Sequence, residues 1–277
     1  MDAFALRVAN LIVGNPEGAA GLEITLLGPE LEFIGDARVA VGGAEFDGVP
    51  SWRPLAFRAG DRLRFGECRR GCRAYLAVSG GIEAAPVMGS RSTYVPGGFG
   101  GIQGRALREG DFVPTGAVPP TGAGSRIRAS WRVSPAMLPA YRPNPVLRAV
   151  RGAQAGDFGA DLWTAEFQVS PQSDRMGMRL AGPTLARLVA GETVSSAVAP
   201  GTVQVPADGQ PILLMADAQT VGGYPQAAHV IGPDLSLAAQ LRPGERVRFH
   251  EVPLDEAHRL ALDRERDVAH LRMGLMA

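Results

Sequence analysis

DRLRFGECRRGCRAYLAVSGG, residues 61–81, carries the first decision about fold class. Leu63 and Phe65 alternate with Arg62 and Arg64, and RAYLAVSGG (73–81) runs into paired turn glycines. Period-two alternation bounded by Gly and Asp is the signature of a half-buried strand. CRRGC (68–72), between the two runs, holds both cysteines of the chain. Its RRG reads as a turn between two strands, so a hairpin is expected there. A metal site is not expected. Two cysteines fall short of a ligand set, and His229, His250, His258 and His270 show no ligand spacing to them.

The same pattern recurs outward in both directions. LEITLLG (22–28) and ARVAVGG (37–43) precede the opening stretch; VLRAV (146–150), TAEFQVS (164–170), GTVQVP (201–206), PILLMAD (211–217) and RVRFHEV (246–252) follow it. Each is short and bounded by Gly, Pro or Asp, which predicts a mainly β chain with short helices, built as two β-rich domains. AGDRLRF (59–65), REGDFV (108–113) and RPGERVRF (242–249) share a turn glycine before a strand, a weak sign that both domains are made alike. PTGAVPPTGAG (114–124) has no periodicity and reads as the linker. The expected domains are therefore 1–115 and 125–253, with a closing helix over 254–277. Four helices are expected. Asp2 caps the first, with an apolar stripe at Phe4, Leu6, Val8, Ala9, Leu11 and Ile12 and a stop at Gly14-Asn15. Pro183 opens a second that ends before Gly191. DLSLAAQL (234–241) makes a third, halted by Pro243-Gly244. Ala257, Leu260, Ala261, Val268 and Leu271 stripe the last.

Composition excludes several functions. The chain has 277 residues, 45% of them apolar, yet no uninterrupted apolar run approaches the ~18 residues of a membrane span. Nothing at Met1 reads as a signal peptide, so a cytoplasmic protein is expected. Net charge is zero, against a broad nucleic-acid or membrane-binding surface. All 28 basic residues are arginine. Without lysine there is no P-loop lysine, no Schiff base and no biotin attached to this chain. Anions must be held by Arg forks or backbone N–H groups. HExxH, GxSxG and CxxC are all missing from the sequence, and from Gly98 a dinucleotide fingerprint fails at Gln103.

Three polar, glycine-rich clusters remain: GSRSTYVPGGFGG (89–101), SPQSDRMG (170–177) and DAQTVGGYP (217–225). Loops held on a rigid β scaffold are where sites collect. Glycine lets backbone N–H groups approach an anion. Arg91, Arg105 and Arg175 can grip a carboxylate or phosphate at two points. Asp174 and Asp217 can move a proton. Ser90, Ser92, Thr93, Ser173, Gln219 and Thr220 can bind polar ligand atoms, with Gly222, Gly223 and Tyr224 completing the third cluster. Arg91, Asp174 and Asp217 are the expected catalytic set, and the others are expected to bind substrate. The plainer alternative is that Gly, Ser and Asp simply make turns here.

Longer blocks around these clusters carry a family resemblance. DAFALRVANLIVGNPEGAAGLEITLLGPELEF (2–33), YLAVSGGIEAAPVMGSRSTYVPGGFGGIQGRALREGD (75–111), VSPQSDRMGMRLAGP (169–183) and residues 201–249 resemble the family variously called allophanate hydrolase subunit 2, KipA, biotin-dependent carboxyltransferase and the 5-oxoprolinase C subunit. The resemblance implies a cyclophilin-like barrel and two partners, a KipI-like B subunit and a LamB/YcsF-type A subunit. It also implies a complex that uses ATP to open 5-oxoproline to glutamate, with an ATP site that no motif of this chain assigns. A biotin-dependent urea carboxylase or allophanate hydrolase-type carboxyltransferase is the alternative. A non-enzymatic regulator binding a KipI-like kinase inhibitor is another. The family begins earlier, with a Thr-x-Gln-Asp-x-Gly-Arg segment, so the first domain is expected to show an open sheet edge or one covered by something else. RGAQAGDF (151–158) replaces the family's Pro-Gly-Pro-Gln, with its turn expected to survive through Gly152.

Overall fold

The computed structural model describes residues 1–117, 131–189, 191 and 193–276. Most of the expected linker, 118–124, lies outside them, as does the expected start of the second domain at 125. The chain divides into two compact units. The N-terminal unit holds Ala3–Arg69, Arg73–Leu138 and Val268–Ala277; the C-terminal unit holds Met1–Asp2, Arg70–Cys72 and Pro139–Asp267.

In the N-terminal unit, helix α1 (Ala3–Ile12) buries Phe4, Val8, Leu11 and Ile12, the i, i+4, i+7 and i+8 positions of one face. It stops at Gly14, whose φ of 81° is left-handed. Buried Asn15 fastens the next turn: its Nδ2 donates to Val78 O (2.7 Å) and its Oδ1 accepts from Gly80 N (2.9 Å). Six strands follow: β1 (Leu22–Thr25), β2 (Glu30–Glu32), β3 (Ala37–Phe46), β4 (Pro54–Phe57), β5 (Arg62–Arg64) and β6 (Cys68–Val78). Four form an open sheet in the order β1-β6-β3-β4, and β2 pairs with β5. Ile24, Val39, Val41, Phe46, Leu63, Phe65, Leu76 and Val78 make the core. Each such side chain, fully buried, contributes about 1.5–3 kcal/mol.

The expected hairpin at CRRGC does not form. Cys68 to Val78 is one continuous strand, and both cysteines are buried. Gly71 has a φ of 75° inside that strand. A single left-handed residue within a continuous strand bends it, as in a bulge.

The C-terminal unit is built on a closed barrel. Its elements are β7 (Val146–Arg151), α2 (Asp161–Thr164), β8 (Phe167–Val169), β9 (Gly177–Ala181), β10 (Ser196–Ala197), β11 (Thr202–Gln204), β12 (Ile212–Leu214), β13 (Val221–Gly222), β14 (Gln226–Val230), α3 (Gly232–Ala238), β15 (Arg246–Glu251) and the part up to Asp267 of α4 (Leu254–Met276), whose remainder belongs to the N-terminal unit. Seven strands close the barrel in the order β11-β12-β9-β8-β15-β7-β14. The β15–β7 pair is parallel, and the six other neighbouring pairs are antiparallel. Leu147, Phe167, Val169, Leu180, Val203, Leu213, Val247 and Phe249 fill it. β10 and β13 form a separate two-stranded ladder.

The helix expected from Pro183 is not there. Leu185 is buried in the barrel core, and Arg187 pairs in extended form with Phe158 while its guanidinium donates to Asp157 Oδ2 (2.7 and 2.9 Å). A stretch this short gains too few helical bonds to resist such tertiary contacts. α3 does form, over Gly232–Ala238 rather than 234–241: extended Ile231 is its N-cap and Pro233 sits in its first turn, where a missing N–H costs nothing. The turn at Gly152 survives, with Ala155 N donating to Gly152 O at 3.1 Å.

Candidate functional site

Two of the three glycine-rich clusters meet in the C-terminal unit. The first of these, residues 170–177, is the loop joining β8 to β9. Ser170 N donates to Arg179 O (2.9 Å), and the Ser173 hydroxyl accepts from Arg179 N (3.0 Å), so the loop closes as a hairpin. At its tip Asp174 Oδ1 accepts from the backbone N–H groups of Met176 (2.8 Å) and Gly177 (3.0 Å). That is an Asx-type turn, which fixes the direction of Arg175. Asp174 itself stays exposed.

Arg175 reaches the next cluster. Its Nε donates to Asp217 Oδ2 (2.8 Å) and its Nη2 to Asp217 Oδ1 (3.1 Å), a two-point fork. The backbones are locked as well: Asp217 N donates to Arg175 O (2.9 Å), and Met215 N to Met176 O (3.0 Å). Asp217 is 16% exposed and Arg175 36%, so the carboxylate is the more sheltered partner. An oriented, partly open cation of this kind suits an anionic ligand.

From Asp217 the chain passes exposed Gln219 and Thr220 into β13. Val198 N donates to Thr220 O (3.0 Å), and β13 pairs with β10 through Ser196↔Gly222 and Ala197↔Val221. Gly223 and Tyr224 follow, with Tyr224 half exposed. Gly222 lies so close to the barrel wall that an added Cβ would stand 2.6 Å from Gln204 Nε2. Ser173, Asp174, Arg175, Asp217, Gln219, Thr220, Gly222, Gly223 and Tyr224 therefore line two hydrogen-bonded turns of one unit.

The first cluster belongs to the N-terminal unit. Val87 and Ser90 pair around a tight turn at Met88 and Gly89 (φ 51° and 81°), and the Ser90 hydroxyl accepts from Ser92 N (3.1 Å). Arg91 donates to Ala84 O (2.7 Å) and is otherwise exposed. Thr93 precedes the Tyr94–Phe99 ring pair, 5.4 Å apart. Arg105 is fully engaged with the opposite charge, its Nη1 and Nη2 donating to Asp111 at 2.7 and 2.9 Å. That guanidinium, with the N–H of Arg108, holds the Asp111 carboxyl far below the usual range.

A buried polar layer beneath β10 and β13 goes beyond the sequence reading. Thr202, Gln204 and Gln226 are all at most 5% exposed, and the Thr202 hydroxyl lies 3.2 Å from His229 Nδ1. Burial pushes the His229 imidazole below its ordinary value. The sequence carries no signal for this layer: Thr202 and Gln204 fill the polar positions of an alternating GTVQVP, which reads as a wet face, yet both are buried. Among the described residues no group of His, Cys, Asp and Glu is arranged to hold a metal ion.

A barrel with a forked Arg–Asp pair between polar turns is, by class, suited to a small anion or a small amide. The chain belongs to the carboxyltransferase domain family, subdomain A and B, whose model matches residues 1–251. It is 40% identical to the 5-oxoprolinase C subunit of Escherichia coli over 96% of this chain and 86% of that protein. The 5-oxoprolinase C subunit of Haemophilus influenzae is 36% identical over 94% of this chain and 84% of that protein. The K. lactis urea amidolyase structure superposes with a TM-score of 0.88 at 26% identity, covering 98% of this chain; the chain spans only 18% of that enzyme. No described helix is long and apolar enough to cross a membrane.

Proposed function

We propose that this chain is the C subunit of a cytoplasmic, ATP-dependent 5-oxoprolinase, working with a KipI-like B subunit and a LamB/YcsF-type A subunit. The observation that carries this is the near end-to-end match to two proteins of that name, at 86% and 84% of their lengths. In the reaction the lactam C–N bond breaks, and water supplies the hydroxyl of the new carboxyl group. The ring nitrogen takes a proton, while ATP and a second water give ADP and phosphate. No lysine is available for biotin.

The geometry supports roles for this chain's own residues. Asp217 orients Arg175 by the fork, and Arg175 is the proposed cation for the substrate carboxylate or for the lactam oxygen as charge builds there. Exposed Asp174, on the adjacent turn, is the candidate to deliver a proton to the ring nitrogen. Ser173, Gln219, Thr220 and the N–H groups of Gly222 and Gly223 offer further polar contacts, and Tyr224 an apolar ring face. Arg91, Ser90, Ser92, Thr93 and Arg105 are retained as proposed contacts of the complex. Arg105 has the weaker claim, its donors being spent on Asp111.

The test is to co-express this chain with its two partners and follow ATP hydrolysis that depends on 5-oxoproline. Turnover above the substrate-free control is expected, and none would defeat the proposal. Carboxyl transfer to urea is the second reading, favoured by the superposition on urea amidolyase. Carboxybiotin-dependent urea carboxylation by the same preparation, without lactam-dependent ATP use, would establish it instead.

A further inference from the structure

We infer that Gln226 and Gln204 are positioning residues that hold the two-stranded β10–β13 ladder, and with it the Gln219–Tyr224 turn, in the conformation the ligand meets. The inference rests on the function proposed above. Both amides lie on neighbouring barrel strands, paired Gln204↔Gln226 across a register shift between Val203 and Gln204. A register shift of this kind re-aims side chains. Gln226 is 5% exposed and Gln204 1%. Their buried donors are spent on this ladder and its turn: Gln226 Nε2 donates to Ser196 Oγ (2.9 Å) and Ala197 O (3.1 Å), and Gln204 Nε2 to Tyr224 O (3.3 Å). The backbone N–H of Gln226 donates to Gln154 Oε1 (3.0 Å), which ties the bracket to the neighbouring turn.

The ladder needs such a bracket. It has only two residue pairs, and two-stranded ladders are marginal alone. Val194, Val221 and Tyr224 remain 86%, 59% and 50% exposed, so apolar burial does little to seat it. The missing Cβ at Gly222 is what lets the Gln204 amide reach past the strand.

Two readouts test this on the full chain. Gln226→Met keeps length and removes the donors; Gln226→Glu keeps shape and does the same. In hydrogen exchange, each should speed the amides of 194–198 and 219–224 by about tenfold or more, with β8, β9, β12 and β15 unchanged. Unchanged exchange in the ladder, or equal loosening of the whole barrel, overturns the inference. In the reconstituted complex, KM for 5-oxoproline should rise about tenfold with kcat reduced less than about threefold. A looser ladder with an unchanged KM would overturn the link to the ligand and leave the proposed activity standing. If the wild-type complex itself is inactive, the proposed function fails, and the exchange result still decides whether the glutamines hold the ladder.

Discussion

Asp217 and Arg175 show how one pair divides its labour. The carboxylate is the more buried member and accepts both guanidinium bonds, so it orients the cation before any ligand arrives. Arg175→Ala in the reconstituted complex should lower kcat/KM by about 100-fold, the scale of losing a pre-aimed charge donor. Thermal melting of the variant should stay close to wild type. Asp174, expected to act chemically, also has a turn-building task through Oδ1. Asp174→Asn preserves an acceptor for that turn and removes the carboxylate. Intact hairpin exchange with reduced turnover is the expected pair of results, and unchanged turnover would leave Asp174 with the turn alone. His229 gives a pH signature. Its imidazole is held below the ordinary 6.5 by burial, so the unfolded chain takes up this proton first as pH falls. Stability is at full value above that pH and declines as pH drops from 6.5 toward the native value. Urea midpoints from pH 7.5 to 5 should fall in wild type and fall less in His229→Gln.

At the scale of elements, the local pattern is legible wherever a strand has one wet face. VLRAV and RVRFHEV form β7 and β15, whose burial alternates; ARVAVGG forms β3, which is buried on both faces and is legible through its β-branched residues and bounding turns instead. QAAHV does not alternate, because Gln226, Ala227 and Ala228 of β14 are all buried, and so it gives no strand signal. CRRGC and Pro183 mislead for a related reason. Turn and cap residues state what a segment tolerates locally, whereas neighbouring strands and the Asp157–Arg187 pair decide what it adopts. The site is legible in composition, as three glycine-rich clusters, but the bond between two of them is not, since Arg175 and Asp217 are far apart in the chain. The first cluster, residues 89–101, lies in the other unit. The same logic yields a stability test at α3. Asp234, 1% exposed, accepts from the N–H of Arg148 (2.8 Å) and from its Nε (2.9 Å) and Nη2 (2.5 Å), which pins α3 to β7. Asp234→Ala strands a buried backbone donor and a half-buried cation, and should cost about 2–3 kcal/mol in urea unfolding.

For the whole molecule, the closed barrel matters because it has no edge to slip and so holds both turns in fixed register. Mobile loops would lose that geometry, and small misplacements are costly in catalysis. The family shared with urea amidolyase then acquires a physical sense: lactam and urea are both small planar amides whose carbonyl oxygen gains charge during reaction. Under the proposed function, the Arg175–Asp217 fork would meet that charge in the lactam. The most direct measurement is 5-oxoproline-dependent ATP hydrolysis by the assembled complex, wild type against Asp217→Asn. The account predicts turnover in wild type and a loss of about 100-fold in the variant with the barrel still folded. Equal turnover in the two proteins would contradict it.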